Sequence, residues 1–233
     1  MKTKLFSFVL LILLSTHLAI AQISDKVKMS VEILGGVNLQ NINGKDHNGD
    51  KLENDPLTGF HAGIKLNIPV AHDFYFQPGL LFSVKGANDN FSVPNGAEGV
   101  YKTNTRLSYF EIPFNLLYRP KSGIGHILLG IGPYIAYGTG GKEKSEIGTL
   151  TYERKVKYKS KVTDMIDLFE NAYYRPFDAG ANIFFGYELS MGVFCQMNVQ
   201  FGMLRINPEY DWAALDKTSY MNTGFGLTVG YRF

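Results

Sequence analysis

The amino-acid sequence predicts an all-β fold, an eight-stranded antiparallel up-and-down transmembrane β-barrel. Three observations carry the prediction. The chain opens on an export leader, eight later segments alternate apolar and polar residues with period two, and the connections between those segments are by turns very short and very long.

The leader is "MKTKLFSFVLLILLSTHLAIAQ". Lys2 and Lys4 precede an apolar run from Leu5 to Leu14, and Ala19-Ile20-Ala21 supplies the small-residue cleavage pattern. Ser15, Thr16 and His17 interrupt the run well short of the ~20 residues a membrane helix needs. The expected organisation is a signal peptide over residues 1–21, cleaved after Ala21, and one barrel domain over residues 22–233. Cleavage removes two lysines and no acids, so 23 basic against 21 acidic residues become 21 against 21 and the net charge is zero. A neutral chain without a basic stripe argues against a nucleic-acid partner. Cys195 is the only cysteine, so no intramolecular disulfide is possible.

The period-two segments fall near residues 28–39, 59–70, 73–86, 105–119, 125–138, 176–189, 191–203 and 219–233. In the second, Phe60, Ala62, Ile64, Leu66 and Ile68 oppose His61, Gly63, Lys65 and Asn67. In the last, Phe225, Leu227, Val229, Tyr231 and Phe233 oppose Gly226, Thr228, Gly230 and Arg232. Such alternation means two environments, one on each side of the strand. The second and third, fourth and fifth, and sixth and seventh segments are joined by "AH", "KSGIG" and "S", whereas the other connections are long and rich in Gly, Asn, Asp and Lys. Short turns therefore gather at one end and long loops at the other. That segregation is expected of short periplasmic turns and long extracellular loops, and a β-sandwich has no reason for it.

Facing follows from location. With lipid outside, the apolar rows point outward, and Phe74, Phe76, Tyr118, Tyr187, Tyr231 and Phe233 form an aromatic girdle at the periplasmic end. The polar rows then line the inside, where Glu32, Lys65, Lys85, Glu111, Asp178, Glu188 and Arg232 set four acids against three bases. An eight-stranded barrel is just wide enough to be filled by side chains, so a charge network closing the lumen is expected in place of an open pore. Glycines 130, 132, 180, 186, 192, 202, 226 and 230 are expected to relieve crowding there. A soluble calyx with an apolar ligand inside would need the opposite facing. Pro78, Pro113 and Pro133 each remove a ladder hydrogen bond, which predicts bulges or local breaks.

In the third long loop, Tyr152, Arg154, Val156 and Tyr158 alternate as an extension of the fifth strand. "TDMIDLFENA" reads as a short helix with Thr163 or Asp164 as N-cap and Met165, Ile166, Leu168 and Phe169 on one side, capping the barrel mouth. No metal-ligand spacing, nucleophile elbow or phosphate-binding glycine loop occurs in the sequence, so no catalytic, cofactor-binding or metal residue is assigned. His61 lies inside a strand near its extracellular end and reads as satisfied lumen packing, and His126 opens the fifth strand.

At "SYFEIPFNLLYRP" (108–120) and "FDAGANIFFGYELSMGVFCQMNVQFGMLRINPEYDW" (177–212) the sequence resembles the PorT-like outer-membrane β-barrel family of Gram-negative bacteria. Tyr109, Glu111, Ile112 and Pro113, then Asp178, Gly180, Gly186, Tyr187 and Glu188, and finally Phe233 carry the likeness. The resemblance implies an outer-membrane barrel whose terminal aromatics, Tyr231 and Phe233, are read by the barrel-assembly machinery. The partners it implies are outer-membrane lipid, that machinery, and other envelope proteins reached through the long loops, including those of a secretion or uptake complex. The role expected is structural or surface-interacting, the alternatives being an accessory component of such a complex and, behind it, a barrel enzyme acting on lipid or peptide. Detergent extraction of the envelope should yield a protein whose gel mobility changes on heating; a soluble, heat-insensitive periplasmic protein would defeat the barrel prediction.

Overall fold

The computed structural model of the chain describes residues 28–92, 100–163, 166–212 and 217–233. Its frame is eight strands: β1 (Ser30–Lys45), β2 (Asp55–Ala71), β3 (Phe74–Ser92), β4 (Val100–Tyr118), β5 (Gly125–Ile147), β6 (Phe177–Leu189), β7 (Val193–Gly202) and β8 (Ser219–Arg232). Each strand pairs antiparallel with the next. Strand β8 also pairs with β1, from Glu32 opposite Arg232 to Lys45 opposite Ser219, so the sheet closes into a ring. Closure leaves no unpaired edge. The predicted leader and its cleavage point lie outside the described residues.

Burial around the ring is inverted relative to a soluble protein. On the outward rows, Val229 is 58% exposed, Ile131 55% and Ile33 53%, whereas inward-facing Glu32, Lys85 and Asp178 are at most 1% exposed. An apolar calyx interior is thereby ruled out, since the large apolar rows point outward. Val84, placed by alternation on the outer row, is buried beside an irregularity of β2 between Pro56 and His61.

The strands run past their predicted limits at the loop end. β1 reaches Lys45, β4 starts at Val100 and β5 continues to Ile147. These extensions carry Asn, Gly and Lys on both faces, so alternation fades, yet backbone pairing continues without it. After a turn at Gly148, residues Leu150–Tyr158 form a separate strand folded back on the end of β5, so the alternation at Tyr152 to Tyr158 is not an extension of the fifth strand. Asn171–Tyr174 then pairs parallel to it. The helix expected over "TDMIDLFENA" is only a 3₁₀ turn, Ile166–Phe169, with Asp164 and Met165 outside the described residues. Leu168 lines the chamber below while Phe169 is 74% exposed.

Pro78 and Pro113 interrupt pairing without shifting it. Between β3 and β4 the ladder stops after Pro78–Phe114 and resumes at Leu81–Glu111 in the same register, and between β4 and β5 it stops after Pro113–Tyr134 and resumes at Leu116–Ile131. Pro133 stays paired with Ala181. Equal residue counts on both strands leave a gap where a donor is missing but no bulge. The register shifts occur elsewhere, at Pro56/His61, Pro69/Ala71 and Ser108/Tyr109.

Aromatic rings mark both rims of the outward apolar band. At the turn end, Phe74 stacks on Tyr118 at 4.7 Å and Tyr231 meets Phe233 edge-on at 4.8 Å. At the loop end, a second series runs Phe60–Phe82–Phe110 and Tyr137–Phe177, with centroid spacings of 5.3–5.8 Å. Phe110 and Tyr137 are opposite in register and join the two parts. Val229 lies midway between Phe225 and Phe233 on one outward row. Val229→Arg should therefore cost about 2–4 kcal/mol, read as a lowered urea midpoint for unfolding from lipid vesicles; unchanged stability would refute the outward, lipid-facing assignment.

Candidate functional site

The alternating inward residues of eight strands converge on one narrow lumen, and their order along each strand stacks them in layers. At the turn end, Arg232 Nε donates to Glu188 Oε2 at 2.8 Å, and its Nη2 forms an ion pair with Glu32 Oε1, also at 2.8 Å. Glu188 is further held by Arg119, through Nη2 at 2.6 Å and Nε at 3.1 Å. Asn67 and Gln77 donate to the two oxygens of Glu32 at 3.0 and 3.1 Å. Every oxygen of this buried pair of carboxylates thus has a cation or amide partner, the condition on which buried charge is tolerated.

Next comes an apolar layer of Leu34, Leu81, Leu117, Leu128, Phe184 and Phe194, closed by Tyr75. A Cβ on Gly130 would stand 2.0 Å from the Phe184 ring, and one on Gly230 would stand 2.4 Å from Phe194. These two glycines make room for two rings in the lumen. Beyond them lies a polar middle. His61 sits between Asn38 Oδ1 at 2.6 Å and Thr228 Oγ1 at 2.8 Å, with both ring nitrogens engaged. Because β2 begins at Asp55, His61 falls in the middle of the lumen and not near its loop end, where the alternation places it. Lys65 is buried with its ammonium 4.7 Å from the centre of the Phe184 ring, and it makes no ion pair among the described residues. The void here is about 50 Å³, the size of a few water molecules.

The second charge cluster follows. Lys85 Nζ stands 3.1 Å from Asp178 Oδ2 and 3.0 Å from Glu111 Oε2, over the Tyr134 ring at 4.3 Å. Asn222 donates to Asp178 at 2.9 Å and Gln200 to Glu111 at 2.8 Å. A further apolar layer, including Ile42, Leu107, Tyr109, Val156, Tyr174 and Ile206, seals the lumen above it. Above that seal, a chamber of about 280 Å³ opens among the loop-end segments. Its wall carries Glu143, paired with Arg154 and accepting from Tyr174 Oη at 3.3 Å. In the exposed loop-end segments, a hydrogen bond and then Coulombic attraction from Lys142 hold the Glu153 carboxyl below its ordinary range, and Asp211 raises Lys161 in the same way. Among the described residues, no group of three or more His, Cys, Asp or Glu could hold a metal ion.

The seven charged residues singled out from sequence all lie inside the ring, in two clusters with Lys65 alone between them. Arg119 closes the fourth period-two segment, on the same row as Glu111, but the strand itself ends at Tyr118, so its reach to Glu188 depends on the turn and not on the alternation. The inward Leu and Phe residues were missed because period two reports the side of a strand and not its polarity. Tyr231 and Phe233 stand at the turn-end rim, and His126 lies near the same end.

A closed antiparallel ring with an apolar outer wall and a polar, packed lumen defines a membrane β-barrel protein. The model of the family described as outer membrane protein beta-barrel domain matches residues 20–210, and the chain belongs to that family. Its location is accordingly the outer membrane. Among solved structures the chain is similar to the crystal structure of Ail, the attachment invasion locus protein of Yersinia pestis, with 11% identity and a TM-score of 0.38 over 89% of this chain and 100% of that one. The structure of Ail in complex with the heparin analogue sucrose octasulfate matches with the same values. No curated protein matches the chain.

Lys85→Met leaves Asp178 and Glu111 buried without their shared cation and should destabilise the fold by about 3–5 kcal/mol in urea unfolding from vesicles. Adding Asp178→Asn and Glu111→Gln should recover much of that loss. A single variant as stable as the parent would refute the cluster's role.

Proposed function

We propose that this protein is a small outer-membrane barrel with a plugged lumen, serving as a structural or surface-interaction element in place of a conduit or catalyst. The observation that carries the reading is the succession of packed layers across the lumen, whose central void reaches only about 50 Å³. In this reading the tight turns face the periplasm and the loop end faces outward, after export on the leader and cleavage behind Ala21. The barrel-assembly machinery engages the last strand through Tyr231 and Phe233, and the PorT-like motifs at 108–120 and 177–212 support membership of that branch of barrel proteins. Other envelope proteins meet it at the loop end, where the chamber of about 280 Å³ combines Leu52, Leu168 and Tyr174 with Glu143 and Arg154. The experiment is planar-bilayer recording of the purified protein. It should give no discrete conductance steps, and stable porin-sized steps would overturn the reading.

A further inference from the structure

We propose that the outer wall of the loop-end sheet is a binding surface for phosphorylated lipid headgroups of the leaflet around it, centred on Arg106, Lys142 and Lys155. The inference rests on the membrane reading above and on the loop end facing outward. Its starting point is register. Arg106 of β4 lies directly opposite Lys142 of β5, and Lys142 lies directly opposite Lys155 of the folded-back strand. Directly opposed residues of antiparallel strands project from the same face, and strands lie only ~4.8 Å apart. All three side chains are exposed. Three cations in one cross-strand row repel one another, and an anion bridging them removes that cost.

Their surroundings leave an excess of positive charge. Among the described residues, the outer rows of these three strands carry six cations, with Lys102, Lys144 and Lys157 joining the central three. They carry two carboxylates, Glu146 and Glu153, with Asp55 of β2 at the edge of the groove beside Lys102 and Arg106. Both glutamates belong to rows farther from the apolar band, opposite Lys102 and Lys144, and Glu146 pairs with Lys144 at 2.7 Å. The row nearest the band contains no acid, although Glu153 reaches diagonally to Lys142 at 2.8 Å. Arg106 donates Nε to Asn104 Oδ1 and Nη1 to the Thr58 carbonyl, each at 3.2 Å, which fixes the guanidinium against the wall with N–H groups left for an outside acceptor.

Height selects lipid over a soluble partner. Phe110, on the same outward row of β4, belongs to the loop-end aromatic rim, and such rims sit at the headgroup boundary. Arg106 is four residues farther along. At ~3.4 Å per residue and a strand tilt of ~40°, the cationic row stands ~10 Å above the rim. The headgroup layer is ~5–7 Å thick on each side, so the long Arg and Lys side chains reach back from that height to its phosphates, and clustered basic residues beside a membrane recognise anionic headgroups.

The test reconstitutes the purified protein in nanodiscs of an equimolar mixture of phosphatidylcholine and lipid A and counts retained lipids by native mass spectrometry. The parent should retain lipid A several-fold over phosphatidylcholine. Arg106→Gln/Lys142→Gln/Lys155→Gln should fall toward the ratio of the mixture, whereas Glu146→Gln/Glu153→Gln should keep or raise the preference. Equal retention by the parent and the triple-Gln variant would overturn the proposal, as would loss of the parent's preference on adding soluble polyphosphate at concentrations equimolar with lipid A. Insertion is scored separately by heat-dependent gel mobility. A parent that fails to insert would overturn the membrane reading itself, and a parent that inserts without lipid preference overturns only this inference.

Discussion

Everything in this molecule depends on the pairing of β8 with β1. In hydrocarbon an unpaired N–H or C=O has no water to turn to, so a sheet can cross only if its last strand returns to its first. The ladder from Glu32–Arg232 to Lys45–Ser219 accomplishes this and fixes the strand number. Eight strands in turn fix the width of the interior, which has room for side chains and little else. Closure therefore decides the chemistry of the lumen as well as the satisfaction of the backbone.

A narrow lumen filled with charge is stable only when most of that charge is compensated, by ion pairs in two clusters and by the face of the Phe184 ring at Lys65. The two clusters achieve this differently. At the turn end two arginines share Glu188, one of them reaching in from a connection, and amides cover Glu32. Deeper in, one lysine answers two carboxylates and an aromatic face supports it. The layer of leucines and phenylalanines between them strengthens each cluster's electrostatics by lowering the local dielectric. Glycines at 130 and 230 are the spatial condition for that layer, since any side chain there would collide with Phe184 or Phe194.

The outer wall follows different rules. Its apolar band ends in aromatic rims at both levels, and above the loop-end rim the sheet continues, its outward positions now charged and its inward positions closing a chamber. Strand extension beyond the band requires no alternation, only neighbours to pair with. That is why the loop-end segments look like loops in sequence and yet are sheet in structure.

Several properties were legible from the sequence because each residue reports its own environment. Period two assigned Glu32, Lys65, Lys85, Glu111, Asp178, Glu188 and Arg232 to one side and Ile33, Phe60 and Val229 to the other, and the lengths of the connections assigned both ends of the array. Other properties belong to pairs of residues distant in the chain. The choice of Lys85 as partner to Asp178, the reach of Arg119 to Glu188 and the alignment of Arg106 with Lys142 and Lys155 all depend on register, which no local pattern carries. Sequence by itself determined which face of each strand meets lipid, since burial follows side-chain polarity. Only the tertiary structure decided which inward groups meet, because ring closure and register set the distances between strands.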